Sequence, residues 1–245
     1  MNGHRIDVQT PDGTLDCYTF TPPGAGSWPA VIVYMDAFGI REQLGEMAQR
    51  LASYGYFVAL PNLYYRTGAF PPFDRQAVLT EGPERDRFKS MIQSVNSELV
   101  MRDTAAVIEM LDRRATVRRG SIGVVGYCMG GGYALTAAAT FPDRVVAAAS
   151  FHGGSLATDK ADSPHTLAPR IRARVYVGAA EIDPSFPPEQ QQRLERALSD
   201  AGVDHTLEIY EGAKHGFAVT GHLVYDRDAS ERHWARLIEL LSETL

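Results

Sequence analysis

The sequence predicts an α/β protein: a mostly parallel central sheet with helices on both faces and an N-terminal β-hairpin. Three observations carry this. Short apolar runs recur along the chain and are mostly continuous, as strands buried on both faces require. Segments of helical period separate them, which suits crossover connections between parallel neighbours. A thiol flanked by glycines stands where one apolar run meets an alanine-rich segment.

The elements follow in order. Arg5 to Gln9 and Leu15 to Thr21 read as two strands around the turn Pro11-Asp12-Gly13. Strands are then expected at Ala30 to Met35, Phe57 to Leu60, Ile122 to Val125, Val145 to Phe151, Val175 to Val177 and Leu207 to Tyr210. Val100, Val107 and Leu111 mark one helical face. Leu194, Ala197, Leu198 and Ala201 mark a second, with Gly202 as its stop. Trp234, Leu237, Ile238 and Leu241 mark a third, and His233 is expected on that helix's surface. The excursion 61–97 is too long for a simple connection and reads as a lid or pocket wall, with a solvated loop and surface helix as the alternative. The chain of 245 residues suits one α/β domain spanning 1–245.

Composition excludes several classes. A net charge of -6 leaves no nucleic-acid footprint and no attraction to an anionic membrane. No apolar run is long enough to span a bilayer, and the stretch from Met1 to Asp7 lacks the apolar core of a signal peptide. With only Cys17 and Cys128 present, a cytoplasmic protein without disulfides is expected, and Cys17 reads as a buried structural thiol.

The run Ile122-Gly123-Val124-Val125-Gly126-Tyr127-Cys128-Met129-Gly130-Gly131 carries the chemistry. It has the form of a nucleophile elbow, Gly-x-nucleophile-x-Gly, between strand and helix, with cysteine as the nucleophile. The tight turn lifts the side chain above the sheet, and a Cβ at Gly126 or Gly130 would collide with the folded backbone. The helix start favours a thiolate.

A thiol nucleophile needs a base and a carboxylate to orient it. Asp183 follows the strand Val175 to Val177 in a rigid Asp-Pro step, with Glu181 as its rival and helix capping as its structural alternative. His215 follows the strand Leu207 to Tyr210, with His222 and His233 as rivals. An oxyanion hole would use the backbone N–H of Met129 and that of Ala37, in the loop Asp36-Ala37-Phe38-Gly39-Ile40. Phe38, Tyr64, Tyr65, Arg66, Arg85 and Arg87 are candidate substrate contacts.

These residues resemble the dienelactone hydrolase family along essentially the whole chain. The elbow Gly126-Tyr127-Cys128-Met129-Gly130-Gly131, the histidine loop His215-Gly216-Phe217, Asp183 and the loop Asp36-Ala37-Phe38-Gly39 carry the resemblance. It implies an α/β-hydrolase fold and a thiol–histidine–aspartate triad with an acyl-enzyme. It also implies a small-molecule ester or lactone as substrate, with neither metal nor organic cofactor. A monomer or small homo-oligomer is expected. In the family, a carboxylate at the position of Asp36 holds the resting thiol. Two departures stand out. That carboxylate is a glutamate in the family, and the family's substrate-binding arginine is replaced here by Val219. The competing readings are a non-catalytic ligand-binding or regulatory protein that reuses the pocket, and a thiol sensor, the latter lacking a nearby resolving cysteine.

Overall fold

A computed structural model describes residues 3–245; Met1 and Asn2, part of the stretch read above for a signal sequence, lie outside the described residues. Its strands are β1 (His4–Thr10), β2 (Gly13–Phe20), β3 (Trp28–Tyr34), β4 (Phe57–Pro61), β5 (Val117–Tyr127), β6 (Val145–Phe151), β7 (Arg174–Ile182) and β8 (His205–Lys214). The helices are α1 (Glu42–Ser53), α2 (Pro83–Gln93), α3 (Ser97–Asp112), α4 (Met129–Thr140), α5 (Pro188–Asp200) and α6 (Arg227–Thr244). The strands form one sheet in the order β1-β2-β4-β3-β5-β6-β7-β8. β1 and β2 pair antiparallel, as does β2 with β4, and every pairing from β4 to β8 is parallel.

The continuous apolar runs became the inner strands. All five residues of β4 are buried, as are six of the seven in β6. The edge strand β8 is less covered: only Tyr210 and Ala213 of its ten residues are buried. α1 and α6 are linked by the Arg50–Glu231 ion pair, while α3 packs on α4. α3 begins at an Asn96 side chain that accepts the Leu99 N–H at 2.9 Å, and α6 begins at an Asp226 side chain that accepts from Ala229. Such caps each contribute about 1 kcal/mol.

α6 corrects one expectation. His233 is fully buried, not on the surface. It lies one turn before Leu237 and shares the buried stripe of Ser230, Trp234, Leu237 and Leu241. Its Nε2 lies 3.0 Å from the Tyr127 hydroxyl and its Nδ1 2.6 Å from the Ser230 carbonyl oxygen. Burial pushes its pKa down to about 3, so the ring is neutral and serves the packing between α6 and β5.

The strands that matter for the site run parallel, so their carboxyl ends meet along one edge of the sheet. That edge carries the loop after β3, the junction of β5 with α4, and the loops after β6, β7 and β8. No helix among the described residues is long and apolar enough to cross a membrane.

Candidate active site

Cys128 joins β5 directly to α4 with φ 55° and ψ -119°. A β-substituted residue held there costs about 1–3 kcal/mol. Tight packing maintains the strain. A Cβ on Gly126 would overlap the Gly130 carbonyl, and one on Gly130 would overlap the Tyr34 carbonyl at the end of β3. The Cys128 N–H donates to the Phe151 carbonyl at 3.1 Å, and the Cys128 carbonyl accepts from Gly131 at 3.0 Å. The turn is therefore locked from three sides. It sets the Cys128 side chain, half-buried, at the start of α4, where the positive end of the helix favours negative charge.

Asp183 and His215 each follow immediately on a strand end, and the fold brings them together. His215 Nδ1 lies 2.7 Å from Asp183 Oδ2. The other carboxylate oxygen of Asp183 accepts the Ser185 N–H at 2.9 Å and the Ser185 hydroxyl at 2.6 Å. Asp183 thus does not cap α5, whose N-cap is Pro187. Glu181, the rival acid, is exposed and accepts the Gly212 N–H at 2.7 Å. His222, the rival base, lies elsewhere, against Asp36 and Arg41.

Charge follows from this geometry. Burial opposes a proton on His215, but the adjoining Cys128 and Asp183 outweigh burial and raise its pKa to about 11. Burial alone would raise the Asp183 carboxyl, and the His215 and Ser185 contacts reverse this and hold it below the usual range. The arrangement fixes Nδ1 on the carboxylate and leaves the other ring nitrogen toward Cys128.

Among the described residues, neither the Ala37 N–H nor the Met129 N–H donates to an acceptor. The Ala37 carbonyl accepts the hydroxyl of buried Tyr64 at 3.0 Å. That hydroxyl also lies 3.8 Å from Met129 Sδ, so Tyr64 spans the two segments that carry these amides.

Asp36 departs from the expected thiol contact. Its Oδ1 and Oδ2 lie 2.6 Å from Arg41 Nη1 and Nη2 respectively, a two-pronged ion pair. His222 Nε2 is 3.3 Å from Oδ2, and Oδ1 also accepts the Phe38 N–H at 3.0 Å. The shorter side chain meets a cation within its own loop, and both oxygens are taken. Burial opposes ionisation of Asp36, yet Arg41 and His222 hold its carboxyl well below the usual range. Removing one partner of so buried a pair costs about 3–5 kcal/mol.

The aromatic candidates gather beside this loop. Phe38 packs on Phe73, Phe88 and His222 at centroid distances of 6.4, 4.9 and 5.2 Å. The arginines of the excursion are mostly engaged. Arg66 binds Asp103 and Asp12 and lies over Tyr65, whose hydroxyl donates to Asp103 at 2.9 Å. Arg87 binds Glu84 and the Pro71 carbonyl. Arg85 makes no side-chain hydrogen bond or ion pair among the described residues. A cleft of about 720 Å³ backs the loop through Phe38, Ile40, Arg41, Phe73 and Arg75, but its lining omits Cys128, Asp183 and His215.

Three residues escaped the sequence reading. Arg41 and Ser185 could have been suspected, five and two residues after the acids that they bind. His152 carried no such signal. It is fully buried at φ 39°, lies 5.4 Å from the His215 ring, and leaves both ring nitrogens unpaired. Cys17 is buried and free, and burial pushes its thiol up to about 12, as suits a structural residue.

A profile of the dienelactone hydrolase family matches residues 15–245. A protein of Synechocystis sp. named "putative carboxymethylenebutenolidase" is 28% identical over 231 residues, which cover 93% of this chain and 91% of that protein. Among solved structures, the Klebsiella pneumoniae protein called "putative dienelactone hydrolase" superposes with a TM-score of 0.86 at 23% identity, covering 98% of each chain. The dienelactone hydrolase from Anabaena variabilis superposes with a TM-score of 0.70 at 18% identity, covering 100% of this chain and 98% of its own. The fold is that of the α/β-hydrolases, and the chain belongs to the dienelactone hydrolase family, as a hydrolase of carboxylic ester or lactone bonds.

Proposed function

We propose that this hydrolase works through a Cys128–His215–Asp183 triad and a thioester acyl-enzyme. The observation that carries the reading is the strained elbow at Cys128, set against a histidine whose far nitrogen lies 2.7 Å from a buried carboxylate. The Cys128 thiolate attacks the carbonyl carbon and forms a C–S bond. The carbonyl electrons move onto oxygen, which the free N–H groups of Ala37 and Met129 receive. The intermediate collapses, the C–O bond breaks, and His215 passes its proton to the departing alcohol or enol oxygen. Water then attacks the thioester while His215 takes its proton. The C–S bond breaks, and the thiolate and imidazolium are restored with the acid released.

The choice of nucleophile shapes the substrate class. A thiolate is itself a good leaving group, so the first intermediate partitions forward only when the other leaving group departs easily. Enol-lactones and activated esters meet that demand, and simple amides do not. The excursion 61–97 is read as a wall of the site, because its Phe73 and Phe88 pack directly on Phe38 of the oxyanion loop.

Initial rates of the wild type and Cys128→Ala on a carboxylated dienelactone, a neutral enol-lactone, and short and long activated esters test this reading. Cysteine-dependent turnover of at least one substrate is expected, with no turnover of the matching amides. Ester cleavage that survives intact in Cys128→Ala rejects the triad.

A further inference from the structure

We infer that Asp36 and Arg41 are positioning residues that aim the Ala37 N–H into the oxyanion hole. The inference rests on the proposed roles of Cys128, Ala37 and Met129, and it gives Asp36 a different task from holding the thiol.

The peptide units around Ala37 are fixed one by one. In a trans peptide the N–H points opposite to the C=O. The Asp36 carbonyl accepts the Gly39 N–H at 3.1 Å, which directs the N–H of the same peptide unit, that of Ala37, the other way. In the next unit, the Ala37 carbonyl is held by the Tyr64 hydroxyl at 3.0 Å and the Phe38 N–H by Asp36 Oδ1 at 3.0 Å. Neither peptide plane can turn without losing one of these bonds.

Arg41 closes the loop. Its guanidinium takes both oxygens of Asp36 at 2.6 Å, while Nη1 also donates to the Gly39 carbonyl at 3.1 Å. The acid that holds the Phe38 amide is therefore itself held by a planar fork rooted five residues later, at the start of α1. His222 lies 3.2 Å from Arg41 Nη2 and ties the assembly to the loop that carries His215. The loop also begins where it must. The Tyr34 and Met35 carbonyls abut Gly130, next to Met129, so the two expected donors lie on adjoining backbone.

Sulfur chemistry separates this role from a thiol-holding one. Ester hydrolysis builds an oxyanion. Alkylation of Cys128 by iodoacetamide is displacement at a saturated carbon and builds none. The experiment measures kcat and KM on an activated acetate ester beside the rate of iodoacetamide inactivation, for wild type, Arg41→Met, Asp36→Asn and the double variant Asp36→Asn/Arg41→Gln. The double variant keeps a polar pair and guards against misfolding from a lone buried charge.

A misaimed donor should lower kcat about ten- to hundredfold, at or below the roughly 10²–10³-fold loss known for removing one oxyanion donor outright. KM should change less than about threefold and the alkylation rate less than about twofold, since ground-state binding and the thiolate are untouched. Wild-type kcat in both Arg41→Met and the double variant would overturn the inference. So would a tenfold faster alkylation of Asp36→Asn, which would assign Asp36 to the thiol, or equal losses of kcat and alkylation, which would mean general collapse. Cys128→Ala is the control: if it hydrolyses the ester at the wild-type rate, the nucleophile assignment fails instead.

Discussion

Two buried carboxylates lie at the candidate site, and they differ in the partner that each faces. Asp183 meets His215, a ring that can gain and lose a proton. Asp36 meets Arg41, a guanidinium that takes no part in proton transfer. Both side chains are about 1% exposed, so burial does not distinguish them. The partner does. A carboxylate on a titrating ring orients a proton-transfer group and stabilises its charged form, whereas one on a guanidinium closes a loop and can only hold geometry.

Removing each charge in turn should separate the two acids. Asp183→Asn should lower kcat on the order of 10⁴-fold, because the amide favours the wrong tautomer of His215. Measured with an activated ester, a loss of less than about tenfold would make Asp183 no more than a structural acid. The Arg41 and Asp36 variants should lose less, as set out above, because a displaced oxyanion donor is weakened and not removed.

The smallest effect is on pH. His215 has a folded-state pKa of about 11, above the ordinary 6.5. Its charge therefore contributes stability that is fully present below pH 6.5 and is lost as pH rises through about 11. In the proposed mechanism the same proton goes to the leaving group, so the alkaline limb of kcat/KM should lie far above neutrality. Asp183→Asn should move that limb toward neutral pH, and Asp36→Asn should leave it in place. A limb that moves equally in both variants would erase the distinction between the two acids.

Much of this was legible in the sequence because it depends on local features. Continuous apolar runs gave the parallel strands. The elbow announced itself through Gly126 and Gly130, since backbone crowding leaves no room for a Cβ there. Asp183 and His215 fell just beyond strand ends, where parallel strands place functional loops. What was not legible depends on which side chains meet across the fold. Asp36 was read as a loop acid that holds the thiol, whereas its partner in the fold, Arg41, depends on how the loop from Asp36 to Arg41 turns back on itself. His233 could have been placed in the core by counting one turn back from Leu237, yet its polar character suggested the surface. Tyr127 and the Ser230 carbonyl supply the polar partners that let it stay inside. His152 gave no signal at all, because its burial beside His215 comes from the path of the loop after β6.

In the proposed mechanism Cys128 carries the acyl group between two half-reactions. That role is tested most directly by quenching the enzyme in acid during turnover of a slowly deacylating activated ester and weighing the peptides. The account predicts a hydroxylamine-sensitive acyl adduct on the peptide that contains Cys128, absent in Cys128→Ala. Sustained turnover with no adduct on that peptide, or an adduct on another residue that forms at the rate of turnover, would contradict it.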